Sequence, residues 1–287
     1  MAEVATSWTS SATSDQLLVV IDPVARRADG ESVRIARDVL RAGAAGAKVC
    51  LPDGPEEFAR ALARRGSRRP VVVGDDRALV RAVELLHRQR ELAGCALSLV
   101  PVGGSVSLAR ALGVPSGAVA AARAVLDGAE RRMDLLVDDS DGVVLGALRI
   151  PPLGATSPAR DPADGVPRPW LRTCRSLVRT LAPARPPAAP GSGPTRLRVE
   201  VDGETLVDLH QSVEAVSVVP GASGTAHVEV RPASVGAEAS ALSAEGRTIT
   251  VSGAHFRYRA DATVSGPVRT RTWEVREGAW GLTVPAR

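Results

Sequence analysis

The chain has 287 residues, of which 44% are hydrophobic, 24% are charged and only 2% are aromatic. This length exceeds that of a typical single domain and suggests two domains, each with a core built from valine, leucine and alanine. The net charge of +4 favours weak attraction to anionic lipid surfaces. The arginines are scattered through every segment, which excludes the concentrated basic patch of a nucleic-acid-binding protein.

The sequence indicates neither membrane insertion nor secretion. No apolar run approaches the roughly 20 residues of a membrane-spanning helix. Residues 1–15 lack the basic and apolar regions of a signal peptide, so we expect a disordered tail. The cysteines Cys50, Cys95 and Cys174 have no metal-binding or disulfide spacing. We therefore expect a cytoplasmic protein that contacts a membrane only transiently and peripherally, at its inner face.

Strands and helices alternate through residues 16–132, which we predict to form an α/β domain. Short apolar runs predict strands, and amphipathic segments between them predict helices. Strands joined by helices form a mostly parallel sheet, and ligands bind at the carboxyl ends of its strands. In chain order the predicted elements are strand Leu17–Ile21, helix Gly30–Leu40, strand Lys48–Leu51, helix Glu56–Arg65, strand Val71–Val73, helix Ala78–Arg90, strand Ala96–Val100, a short helix to Leu112, and a helix capped by Ser116 that ends at Gly128.

Residues 133–287 have a different character and predict a β-sandwich domain. A hairpin is expected first, with strands Met133–Asp138 and Val143–Ile150 around a turn of aspartate, serine and glycine. Proline-rich loops at 151–169 and 182–194 flank a predicted helix at Trp170–Leu181. Alternating apolar residues then predict short strands: Leu197–Val201, Val213–Val219, His227–Val230, Thr248–Val251, Phe256–Arg259, Arg269–Val275 and Leu282–Val284. The fold class is therefore α/β plus all-β.

The segment Gly74–Ala78 lies between a predicted strand and a predicted helix. Such a turn can deliver backbone N–H groups to a phosphate. The same position also suits aspartates that cap the helix, and we favour that interpretation for Asp75 and Asp76.

Two segments resemble motifs of the diacylglycerol-kinase-like lipid kinases. Gly74–Ala78 resembles their Gly-Gly-Asp-Gly-Thr nucleotide-binding turn and matches it at Gly74 and Asp76. Asp75, Arg77 and Ala78 replace the remaining glycines and the threonine. The second segment resembles Pro-x-Gly-Thr-x-Asn-Asp-Phe-Ala-Arg-x-Leu-Gly and matches it at Pro101, Gly103, Ala109, Arg110, Leu112 and Gly113.

The resemblance implies an NAD kinase/diacylglycerol kinase-like fold. It also implies transfer of the γ-phosphoryl group of ATP, with Mg²⁺, to a hydroxyl of a lipid such as diacylglycerol. Asp76 is then the expected catalytic acid, and Asp261 is a second candidate that could act as a base or meet a metal. The expected nucleotide contacts are Gly74, Asp75, Arg77, Gly103, Gly104 and Ser105.

The substitutions at the motifs leave a second interpretation open. Side chains at former glycine positions block close approach of a phosphate. The protein would then be a catalytically inactive module that binds a lipid, a nucleotide or a protein partner in the same cleft. A homodimer is also left open by the sequence.

The family's catalytic Asp-Gly-Glu has two candidate counterparts. Asp261 is followed by alanine and threonine, so the glutamate is missing. Asp202–Glu204 has the expected Asp-Gly-Glu sequence, but its position between two predicted strands indicates an ordinary hairpin turn. The sequence does not show whether this turn reaches the cleft.

A serine hydrolase is the remaining alternative. Gly103–Ser107 follows a strand and precedes a helix, as the Gly-x-Ser-x-Gly nucleophile elbow does, but the last glycine is missing. A catalytic triad would also need one of four histidines, none of which follows a recognisable acid–loop–histidine order: His87, His210, His227 and His255.

Overall fold

The computed structural model describes residues 16–152, 195–221, 223–233 and 240–286. The predicted tail at 1–15, the helix at Trp170–Leu181 and almost all of the two proline-rich loops lie outside the described residues. Cys174 lies there as well.

The described chain contains six helices and fourteen strands, named here in chain order. The helices are α1 (Pro23–Ala28), α2 (Gly30–Gly43), α3 (Pro55–Ala63), α4 (Asp76–Arg88), α5 (Ser107–Ala111) and α6 (Ala118–Asp127). The strands are β1 (Gln16–Ile21), β2 (Gly46–Cys50), β3 (Arg69–Gly74), β4 (Ala96–Pro101), β5 (Ala129–Asp138), β6 (Val143–Val144), β7 (Leu148–Ile150), β8 (Thr195–Val201), β9 (Glu204–Val207), β10 (Ser212–Pro220), β11 (Ala226–Pro232), β12 (Leu242–Gly246), β13 (Thr248–Ala260) and β14 (Thr263–Val284).

Parallel pairing is confined to one end of the sheet. The order there is β2–β1–β3–β4, and the end of β14 adds to β4 in the same direction. All other pairs among the described strands are antiparallel. A mostly parallel sheet therefore does not describe the sheet as a whole.

The predicted β-sandwich is replaced by a small barrel-like sheet. Both β7 and β8 pair with β10, and both also pair with β13, so the pairing closes on itself. The sequence pattern predicted the inward and outward alternation of these strands, but the same alternation serves a sandwich and a barrel.

The last strand connects the two predicted lobes. Trp273 and Trp280 of β14 are fully buried, and each belongs to a different hydrophobic core. Trp280 packs with the core under α4, whereas Trp273 packs with the barrel strands. The predicted strands Arg269–Val275 and Leu282–Val284 are parts of this single strand, whose register with β5 shifts between Arg276 and Trp280.

Three further local predictions were wrong. Helix α6 begins after Gly117 with no side-chain cap, so Ser116 does not cap it. The predicted strands Thr248–Val251 and Phe256–Arg259 form one strand, β13. The predicted strand Val143–Ile150 is broken at 145–147, because the backbone N–H groups there donate to a side chain instead of a neighbouring strand.

The hairpin between β5 and β6 is confirmed, and Asp138 organises its turn. The carboxylate of Asp138 accepts hydrogen bonds from the Ser140 backbone N–H and hydroxyl, at 2.8 and 2.7 Å, and from the Gly142 N–H at 2.9 Å. Burial opposes ionisation, but these bonds and the nearby Arg271 outweigh it and hold the pKa of Asp138 below its ordinary value.

No helix in the described residues is long and apolar enough to cross a membrane.

Candidate functional site

Asp76 begins α4 and is 2% exposed. Its backbone N–H donates to the Ser105 carbonyl at 2.8 Å. Its Oδ2 accepts from the hydroxyls of Ser105 and Ser107 and from the Leu108 N–H, at 3.0, 3.2 and 3.0 Å. Its Oδ1 accepts from the Ala109 N–H at 3.0 Å. Asp76 therefore serves as the N-terminal cap of α5, which has no cap from its own sequence.

Asp75 caps α4. A single carboxylate oxygen accepts from the backbone N–H groups of Arg77 and Ala78, both at 3.1 Å. Capping, which the sequence favoured for this pair, is therefore observed for Asp75 on its own helix and for Asp76 on the next one. As a consequence, two N–H groups at the turn already have a carboxylate partner.

Asp261 lies at the tight turn between β13 and β14, with φ of 48°. Its carboxylate accepts three backbone N–H groups from the interrupted segment before β7: Leu145 at 2.7 Å, Gly146 at 2.8 Å and Ala147 at 2.9 Å. Burial, assisted by the negative charge of Asp76, raises the pKa of Asp261 above its ordinary value even though these bonds oppose the shift.

Asp76 and Asp261 both line one cleft of about 430 Å³. The first wall comes from the start of α4 and the loop before α5, and the second from β7 and the turn after β13. Three arginines line the same cleft, so it is lined by both positively and negatively charged side chains. The lining residues are Asp76, Arg77, Ser105, Ser107, Leu108, Ala111, Gly146, Ala147, Arg149, Arg259, Asp261 and Ala262.

Arg149 and Arg259 are directly opposite each other across the β7–β13 pair. Residues in this arrangement point to the same face, with Cβ atoms about 5 Å apart, and like charges there are destabilising. Arg77 is exposed and lines the same cleft. Within the described part of the chain, neither Arg77 nor Arg149 has an acidic side chain at ion-pair distance. Arg77 and Arg149 therefore bring positive charge to the cleft that its carboxylates do not neutralise.

The predicted site residues divide into two groups. Asp76, Arg77, Ser105 and Asp261 meet in the cleft. The others lie outside its lining, and packing accounts for two of them. A Cβ on Gly74 would come within 2.6 Å of the Ala78 Cβ, whereas Gly103 has φ of 125° and lies against Asp75.

Two sequence alternatives find no support in this geometry. Asp202 and Glu204 form the β8–β9 turn and border a different cavity. Ser105 donates to Asp76, and none of the four histidines lines the cleft, so the described residues show no serine–histidine pair.

The carboxylates do not form a magnesium site. Four hydrogen bonds fill the acceptor positions of Asp76, and three N–H groups leave Asp261 a single acceptor position. Magnesium requires near-octahedral oxygen ligands, and no group of three or more potential metal-binding side chains occurs among the described residues. No catalytic step is therefore assigned to a metal bound by these side chains.

No family model and no curated protein matches this sequence. Solved structures do match it. Two structures that carry the name diacylglycerol kinase, both from Bacillus anthracis strain Sterne, align with TM-scores of 0.68 and 0.65, each at 13% identity. Each alignment covers 94% of this chain, and 96% and 97% of the other chain respectively. This chain shares their fold. The diacylglycerol-kinase-like fold implied by the two sequence motifs is thus supported over nearly the whole chain, while its chemistry has to be argued from the cleft.

Sequence reasoning missed Arg149 and Arg259. Each stands between apolar neighbours at an outward position of a strand, which is a common place for an arginine. The two arginines stand out only because they face each other across β7 and β13. The sequence does not show that these two strands pair.

Proposed function

We propose that this chain is a lipid-kinase-like phosphotransferase that binds ATP through its phosphates in the Asp76–Asp261 cleft and phosphorylates a lipid hydroxyl. The observation that carries the proposal is the combination, in a diacylglycerol-kinase-like fold, of two cleft arginines, Arg77 and Arg149, that have no acidic partner among the described residues, with the buried carboxylate of Asp261, whose pKa is raised. Arginine binds phosphate through charge-assisted hydrogen bonds and supplies the positive charge that phosphoryl transfer requires.

Asp261 is the better candidate for the base. The Oδ2 atom of Asp261 accepts only the Leu145 N–H and keeps one acceptor position, whereas Asp76 has four donors. The lipid hydroxyl would give its proton to Asp261 while its oxygen bonds to the γ-phosphorus. The bond from that phosphorus to the bridging oxygen breaks, and ADP leaves with the electron pair. Asp76 is a positioning residue, because it holds the Ser105–Ala109 segment that forms one wall.

The test is phosphoryl transfer from γ-labelled ATP to vesicles that contain diacylglycerol. Because Asp261 acts as a base only when ionised and its pKa is raised, we expect the rate to fall with acid at a pH above the ordinary pKa of an aspartate. Asp261→Asn should lower kcat by at least about 100-fold. Folding of the variant must be verified by circular dichroism, because the asparagine cannot accept all three N–H groups.

If Asp261→Asn labels the lipid as fast as the wild type does, Asp261 is not the catalytic base. Failure of the folded wild-type chain to transfer label to any lipid alcohol would overturn the kinase proposal.

A specific observation favours one alternative. Asp75 occupies the N–H groups of Arg77 and Ala78, which a phosphate at this turn would otherwise use. If ATP or a lipid binds but no label is transferred, the protein is a binding module in the same cleft. Its partners, including a membrane surface or a second copy of the chain, remain predictions from the sequence.

A further inference from the structure

We infer that a second cavity, next to the Asp76–Asp261 cleft, binds the acyl chain of a glycerolipid whose hydroxyl lies in that cleft. The cavity has a volume of about 350 Å³ and lies between the end of α5, strand β5 and the end of β10. The inference rests on the proposed function in one respect, since it names the class of lipid that the cleft would phosphorylate. It assigns the apolar part of that lipid to residues beyond the cleft.

The two cavities adjoin at Ala111 and Gly146, which line both of them. The Gly146 N–H also donates to Oδ1 of Asp261 at 2.8 Å, so the backbone that borders the second cavity touches the proposed base. A Cβ at Gly146 would lie 2.5 Å from Cδ1 of Leu108 and 3.1 Å from the same aspartate oxygen. Glycine therefore leaves the space at the junction, and a chain held in the second cavity would bring its polar end to Asp261.

The second cavity is lined mainly by nonpolar residues, which make up eight of its eleven lining positions. Leu112 and Leu145 are buried, whereas Val219 is 41% exposed. Val218 packs in the barrel core, and successive strand residues point to opposite faces, so Val219 points away from that core. Val219 thus adds apolar surface to the cavity wall without contributing to the core of the barrel.

The three charged residues of the lining are bonded to the protein backbone. Asp134 is buried, and each of its oxygens accepts one backbone N–H, at 2.7 and 2.8 Å. Arg131 donates to the Leu112 carbonyl, and Arg132 donates to the carbonyl of Gly278. These side chains hold the segments around the cavity together. The remaining lining favours a hydrocarbon chain, because burial of apolar surface is the contribution that it can make to binding.

Calorimetric titration of the full chain with monoacylglycerols of six, eight and ten acyl carbons, each below its micelle concentration, tests this inference. We expect the affinity to rise about fourfold for each added methylene, because each one is transferred from water into the cavity. Val219→Glu should abolish this dependence on chain length, because a carboxylate would then face the chain. Val119→Glu is the matched control: Val119 is also 41% exposed but lies on α6, outside the cavity lining, so the dependence should persist.

A second variant tests the junction and guards against loss of folding in the first. Ala111 is exposed at the end of α5, where glutamate is compatible with a helix. Ala111→Glu places a carboxylate between the two cavities and should also abolish the dependence on chain length. Thermal unfolding followed by circular dichroism verifies that each variant is folded.

The inference is overturned if the wild-type affinity does not rise with chain length, if either folded cavity variant retains the rise, or if Val119→Glu loses it as well. Chain-length-dependent binding in a protein that transfers no phosphoryl group to a lipid would contradict the kinase proposal alone. Transfer to decanoyl glycerol with an unchanged KM in Val219→Glu would contradict this inference alone.

Discussion

Replacement of Asp76 by alanine is expected to lower the free energy of unfolding by about 3 kcal/mol. The carboxylate accepts four hydrogen bonds, and two of them come from the buried N–H groups of Leu108 and Ala109. Alanine leaves both N–H groups without a partner, and each buried unsatisfied donor costs about 1–3 kcal/mol. Urea denaturation at neutral pH measures the change.

Asp75→Ala is the matched control for this variant. The carboxylate of Asp75 caps α4 through a single oxygen and is less buried, so its removal should cost only about 1 kcal/mol. Equal losses for the two variants would contradict the description of Asp76 as the cap of α5. A structural role for Asp76 also changes how functional data are interpreted, because lost ATP binding in Asp76→Ala would not identify a direct contact.

Replacement of Gly128 by alanine is expected to destabilise the protein by about 3 kcal/mol or more. The backbone conformation at this position suits any residue, so the cause is steric. An added Cβ would lie 2.2 Å from the Ala124 carbonyl oxygen and 2.4 Å from that of Val284. Neither backbone group can turn aside, so α6 and the end of β14 must separate. Thermal unfolding followed by circular dichroism measures the effect.

Gly30→Ala provides the comparison for Gly128→Ala. Gly30 is the first residue of α2, and an added Cβ there meets nothing within 4 Å, so alanine should be neutral or slightly stabilising. If Gly128→Ala is tolerated equally well, Gly128 does not lie against the carbonyl groups of Ala124 and Val284 as the structure places it.

The sequence predicted the elements whose signals are local. The apolar run of β3, the aspartates after it and the periodicity of α4 fall within a few neighbouring residues, so this unit was predicted to within about two residues. The Asp202–Glu204 turn was likewise predicted from its own residues. Asp76, Arg77 and Asp261 were named as candidates because they stand at motif positions of the family that the chain resembles.

The remaining features depend on contacts between distant segments. The opposition of Arg149 and Arg259 exists only because β7 pairs with β13, and strand alternation does not specify a partner. The interruption at 145–147 is caused by Asp261, which lies far away in the sequence. The same limitation led to the prediction of a sandwich, because closure of the barrel depends on which strands are adjacent.

The measurement that tests the central claim most directly is a calorimetric titration of the full chain with ATP, with Mg²⁺ and with EDTA. Because arginines rather than protein-held metal face the cleft, we predict that ATP binds under both conditions and that Arg149→Gln weakens it while Arg231→Gln, which removes the same charge from an exposed ion pair with Glu229, does not. Absence of binding at millimolar ATP in both conditions would contradict a phosphate-binding cleft in this fold.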